Sequence, residues 1–151
     1  MRFDIPLHPV VVHFPIALSI ITPVLFFIVL LGITKYNWPF KAWVVPVVFQ
    51  IMVFLSALAA KEFGEDDEDK VKTVVQEVFV HDHEEWGERF VWVQLGILVI
   101  TGSGLIFPGR LRLKKVGAIA SGLGIIATVL VGHSGGELVY KYNAGQAHIN
   151  K

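Results

Sequence analysis

The sequence predicts an all-α fold: an integral membrane four-helix up-down bundle with both termini on the non-cytoplasmic side. The first observation behind this is composition. The 151 residues are 54% hydrophobic with a mean hydropathy of +0.60, too apolar for an ordinary soluble domain. The second is the presence of four apolar stretches, each long enough to cross about 30 Å of hydrocarbon as a helix of roughly 20 residues. The third is a segregation of charge between the connections, hidden beneath a formal net charge of zero. Together they predict one transmembrane domain over residues 1–151, with spans at about 10–34, 42–62, 84–108 and 115–140.

The first span opens with HPVVVHFPIAL, where Pro9 suits an initial helical turn because its missing N–H would be unsatisfied there anyway. It is longer than the apolar region of a typical secretory signal and is interrupted by Pro15 and Pro23. ITKYNW, rather than a small-residue cleavage site, follows it, so the segment is expected to be retained. Gln50 and Gln94 are the strongly polar side chains well inside the second and third spans, and an interhelical hydrogen bond accounts for both. In the fourth span, Gly117 with Ser121 and Ala118 with Gly122 stand four residues apart, a spacing that lets helix backbones approach closely. Gly132, Gly135 and Gly136 flank His133, where missing side chains could make room for a flat macrocycle, although a helix end also favours glycine.

Lys35 and Lys41 follow the first span, and Arg110, Arg112, Lys114 and Lys115 follow the third, with no acidic residue among them. All thirteen acidic residues lie toward the other side. The positive-inside rule therefore assigns the two basic turns to the cytoplasm, and the termini and central connection to the periplasm or exterior. The central connection, 61–89, carries the run EFGEDDED, read as a solvated loop or helix extension. Its alternative use is a docking patch that steers a basic soluble partner such as a cytochrome c. It lacks the spacing of a calcium loop.

Five of the six histidines, His8, His13, His81, His83 and His133, fall at the outward ends of these spans. An ionisable residue at a membrane edge is a functional candidate, and a cluster drawn from three helices suggests a metal or haem site. Counting about 1.5 Å per residue from the cytoplasmic charges puts His13 roughly 33 Å and His133 roughly 27 Å away, near the outer hydrocarbon edge. His8 and His83 come to roughly 40 Å, an upper tier. His81 and His83, at i and i+2, point to different helix faces, and His83 shares its face with Gly87 and Phe90, leaving His81 secondary. His148, in the polar tail, is read as solvated.

These motifs carry a family resemblance. Through HPVVVHFPIAL at 8–18, HEEWGE at 83–88 and GHSGGELVY at 132–140, the chain resembles the DUF2231 family of predicted four-helix membrane proteins. The resemblance covers nearly the whole chain, and would map the family's histidines onto His8, His13, His83 and His133. His81 falls outside the pattern, and the tail KYNAGQAH departs from the family's ending. What the resemblance implies is a b-type haem protein linked to a periplasmic redox chain.

The residues themselves point to a membrane b-type cytochrome, with non-covalent haem b (one, or two in stacked tiers) held by neutral imidazoles. With no cysteine, covalent c-type attachment, thiolate ligation and cysteine-held clusters are excluded. Depth pairs His13 with His133 as axial ligands, while His8 and His83 would hold a second haem or bind peripheral groups. Phe14, Trp86 and Phe90 would supply apolar walls. Such a protein exchanges electrons on the periplasmic side of the inner membrane with a cytochrome c or other redox subunits, without chemistry on a substrate. A metal-handling site for copper, zinc or iron, built from these imidazoles with Asp82, Glu84 and Glu85, is the alternative. A structural subunit of a larger membrane complex is another. No nucleophile with a positioned base, phosphate loop or HExxH motif argues for catalysis, and no nucleic-acid partner is expected.

Overall fold

The computed structural model describes residues 6–149. Among the described residues the fold is helical throughout, with no strand. Four helical segments are long and apolar enough to cross a membrane: Leu7–Lys35, Phe40–Val71, Glu77–Ile106 and Leu111–Tyr140. The first joins a short helix α1 (Leu7–Val11) to α2 (His13–Lys35). Pro15 accounts for the joint, since it has no N–H to offer the Val11 carbonyl one turn back. Continuity is kept by Val12 N–H donating to His8 O at 3.1 Å and Ile16 N–H to Val12 O at 3.3 Å. The remaining helices are α3 (Val44–Lys72), entered through a 3₁₀ turn at Phe40–Trp43, α4 (Glu77–Ile106) and α5 (Leu111–Tyr140).

The helices outrun the expected spans at the acidic end. The EFGEDDED run continues α3 to Lys72, with ion pairs Lys61–Glu65, Lys70–Asp67 and Lys72–Glu68 one turn apart along its surface. The acidic block is thus a helix extension. Only residues 73–76 separate it from α4. The tail closes against this end, where Val75, Val80, Leu138 and Ala144 form a small core and Tyr142 stacks on Phe79 at 3.9 Å.

Buried positions recur every seven residues. They include Pro15, Thr22 and Val29 with Ser19, Phe26 and Ile33 on α2; Pro46, Val53 and Ala60 with Gln50 and Ala57 on α3. On α4 they are Phe90, Ile97 and Gly104 with Gln94 and Thr101; on α5, Lys114, Ser121 and Thr128 with Gly117 and Gly124. A seven-residue repeat holds one narrow seam toward the neighbouring helices, the geometry of slightly crossed bundle packing. The opposite faces are apolar and exposed, with Phe27, Trp92, Val99 and Ile119 each more than 60% accessible. Such a surface suits lipid.

At the basic end the seam closes on Trp43. Its ring lies 4.9 Å from that of Phe26, and its indole N–H donates to Thr101 O at 3.0 Å. A Cβ on Gly104 would stand 2.7 Å from the indole nitrogen, so only glycine admits this packing. Asn37 adopts the left-handed conformation (φ 55) and helps turn Trp38 onto Gly32, where a Cβ would also collide with the indole. Lys114 departs from the expectation that it is one more exposed cytoplasmic charge. Its side chain is fully buried, and the ammonium donates to Gly104 O at 2.6 Å and Pro108 O at 3.0 Å. It thereby caps carbonyls at the end of α4, with Phe40 and Trp43 rings at 5.2 and 5.8 Å.

Midway along the bundle, Gln50 Nε2 donates to Gln94 Oε1 at 2.8 Å, the interhelical bond the sequence anticipates. Truncating Gln50 to Leu should cost about 0.6–1.7 kcal/mol, and adding Gln94→Leu should recover part of it, measured as a double-mutant cycle in detergent unfolding. Lys114→Met leaves the buried Gly104 carbonyl and the part-buried Pro108 bond without this donor and should destabilise by about 1–3 kcal/mol in the same assay. Lys115→Met, at an exposed position, should stay within about 0.5 kcal/mol.

Candidate functional site

At the opposite end from Lys114 the same seam terminates in two histidines. His8 lies seven residues before Pro15, and His83 seven before Phe90, so His83 continues a buried row of α4 and His8 stands in register with that of α2 across the α1–α2 joint. Gly64 continues the Gln50 and Ala57 row, and Gly135 continues that of Ser121 and Thr128. The convergence of His8, Ala60, Gly64, His83 and Gly135 is therefore a consequence of register. The His8 and His83 ring centroids are 6.0 Å apart with planes at 78°.

Each ring is held by one nitrogen. His8 Nδ1 lies 2.7 Å from Ala60 O. A carbonyl can only accept, so Nδ1 carries the proton and Nε2 of the neutral ring carries the lone pair. His83 Nδ1 lies 2.8 Å from Ser134 Oγ, whose own hydroxyl is directed to Val131 O at 3.0 Å. With its hydrogen used there, Ser134 accepts from His83 Nδ1–H, and the His83 Nε2 lone pair is also open. Glycines give both rings their space. A Cβ at Gly64 would approach His8 Nδ1 to 3.0 Å, and one at Gly135 would approach His83 Cε1 to 3.0 Å.

The expected His13–His133 pair does not form. Both residues are exposed, and no hydrogen bond or ring contact joins them among the described residues. His13 is two residues from Pro15 and His133 two from Gly135, a rotation of roughly 200° away from the seam. Similar depth along two helices did not place them on facing sides. His81 is exposed on the outer surface, its Nδ1 3.3 Å from Glu84 and its Nε2 3.6 Å from Glu85, so it belongs with the acidic residues. His148 is half-buried at the end of a 3₁₀ turn, Ala144–His148, rather than solvated.

The proposed aromatic walls also disperse. Phe14 is 62% exposed, and Trp86 lies beneath the Arg89 guanidinium at 5.0 Å. Phe90 is buried, but packed against Ala57 and Val91. Of the three glycines around His133, Gly135 alone meets another residue, His83; nothing stands within 4 Å of a Cβ at Gly132 or Gly136. Among the described residues no group of three or more histidine or acidic side chains is gathered to hold a metal ion, so the expected multi-imidazole cluster with Asp82, Glu84 and Glu85 is not assembled.

Ser134, Gly64 and the Ala60 carbonyl are the site components that the histidine motifs do not advertise. The signal for them was the seven-residue row: extended past Thr128 it reaches Gly135, and leaves His133 behind. No protein-family model, no curated protein and no solved structure matches the chain.

Gly135→Ala should displace the His83 ring and forgo the helix-propensity gain of about 0.8–1.0 kcal/mol that Gly132→Ala should realise. Thermal unfolding of the two variants side by side, with histidine ring NMR signals as the local readout, tests that difference.

Proposed function

We propose that the protein is a multi-pass inner-membrane electron carrier in which His8 and His83 provide the two axial imidazoles for haem b at the periplasmic side. The carrying observation is the pair of rings, 6.0 Å apart, each with Nδ1 engaged by a neighbouring oxygen and no hydrogen bond at Nε2 among the described residues. A ligating histidine characteristically gives its second ring N–H to a carbonyl or other acceptor, which fixes the tautomer and ring orientation.

The number of donors favours haem over a bare ion. Structural zinc requires about four protein ligands, whereas haem brings four equatorial nitrogens and asks the protein for axial ones. The donor set therefore fits the group: His8 and His83 bind, Ala60 O and Ser134 orient, and Gly64 and Gly135 keep space beside the rings. When bound, the haem supplies one-electron redox chemistry, with no substrate transformed.

Orientation is supported by the charge segregation and by contact pairs that ascend one helix while descending the next. Trp43 meets Thr101 and Gln50 meets Gln94; Gly117 lies against Thr101 and Ser134 against His83. This pattern favours an up-down bundle with both termini on the periplasmic side, in keeping with the resemblance to the DUF2231 family. The acidic residues near the histidine end would steer a basic partner such as a cytochrome c.

The test is the absorption spectrum of purified protein, oxidised and then dithionite-reduced, in wild type and four histidine variants. A Soret band with sharpened α and β bands should appear in wild type, His13→Ala and His133→Ala, and be lost or converted to another ligation state in His8→Ala and His83→Ala. Ser134→Ala should weaken haem affinity about 10–100-fold. Spectra that depend on His13 or His133 but not on His8 or His83 would overturn the assignment. Stoichiometric copper or zinc without haem after reconstitution would instead establish the metal-handling reading.

A further inference from the structure

The basic end carries a second feature that the histidine site does not use. An apolar groove of about 370 Å³ runs between α2 and α5, lined by Phe27, Leu30, Ala118 and Ile119, with Lys115 at its basic end. A smaller hollow of about 210 Å³ shares Phe27, Leu30 and Lys115 and continues along α2 to Thr34. Phe27 and Ile119 are both 64% exposed, so the groove opens on the outer surface of the bundle.

The charge around it is one-sided. No acidic residue occurs between Asp4 and Glu62, or between Glu88 and Glu137. Lys114 is committed to the Gly104 and Pro108 carbonyls, Lys35 lies over Tyr36, and Arg110 over Phe107. Lys115 is exposed, has no hydrogen bond, ion pair or ring contact among the described residues, and is the cation that lines both hollows. An anion seated in the groove would meet a cation that no carboxylate of the described residues pairs with.

We infer that this groove binds one anionic glycerophospholipid, an acyl chain lying between Phe27 and Ile119 and the headgroup phosphate held by Lys115. An acyl chain matches the apolar walls, and basic pockets between membrane helices are suited to anionic headgroups. Placement at the end of a membrane-length helix sets phosphate and ammonium at a common depth. The inference rests on the helices crossing a bilayer and is independent of haem.

Native mass spectrometry of the intact protein, released from detergent containing equal phosphatidylglycerol and phosphatidylcholine, tests it. Wild type should retain phosphatidylglycerol preferentially. Lys115→Gln should reduce that preference about fivefold, the change corresponding to roughly 1 kcal/mol per cation, while Lys35→Gln should change it less. Ala118→Leu, which fills the groove, should weaken retention of both lipids. Circular dichroism and gel filtration should confirm that each variant is folded. Equal retention of the two lipids by wild type, or an undiminished preference in folded Lys115→Gln, overturns the proposal. A histidine variant that loses haem but keeps the lipid preference would leave it standing.

Discussion

Helices that keep the same narrow face toward one another over many turns must repeat that face every seven residues, and in apolar surroundings each polar group on it needs a partner on a neighbour. Both conditions act on the same rows here. Along α4 and α5 the repeat places Thr101 against Gly117, Gln94 near Gly124, and His83 beside Ser134 and Gly135. Small residues lie opposite large or polar ones. The Gln50–Gln94 bond, the Trp43–Thr101 bond and the His83–Ser134 bond are therefore three levels of one packing solution. A slip that moved His83 off the seam would also carry Gln94 and Thr101 away from their positions.

The two ends of that seam differ in how firmly they are closed. At the basic end, Trp43 and Phe26 are fully buried and the Lys114 ammonium ties the end of α4 to the start of α5. At the other, both histidine rings are half-buried and each is held by a single hydrogen bond. The first arrangement fixes helix ends; the second leaves one nitrogen per ring uncommitted. Between them Ser19 and Thr22 are buried with hydroxyls that have no hydrogen-bond partner among the described residues, beside Pro23, which cannot donate to the Ser19 carbonyl. Buried polar groups thus occur along the whole seam, from Lys114 and Thr101 at the basic end through Gln50 and Gln94 to Ser19 and Thr22.

Much of this was legible in the residue pattern. Four apolar stretches and two acid-free basic connections identify the helices, and the face shared by His83, Gly87 and Phe90 correctly marks His83 as inward. The Gln50–Gln94 bond follows from the isolation of two amides in apolar spans. Depth, however, reports position along a helix and carries no information about rotation, which is why it paired His13 with His133. Lys114 was obscured for a related reason: in a run of four basic residues, composition cannot distinguish a topogenic charge from a buried cap. The row Gly117, Ser121 and Gly124 contained the missing phase. Continued for about three turns, it directs Gly135 inward and His133 outward.

The placement of His8 adds a mechanical consequence. It belongs to α1, a single turn separated from α2 where Pro15 withholds an N–H, so this turn is held to α3 in part by the bond from His8 Nδ1 to Ala60 O. Coordination through Nε2 would withdraw electron density from the ring and make Nδ1–H a stronger donor. The same change would act on His83 and Ser134. Ligand binding would then strengthen both contacts that position its ligands, tightening α1 onto α3 and α4 onto α5 together. Because the Lys114 end is already closed by separate contacts, that tightening would be confined to the histidine end.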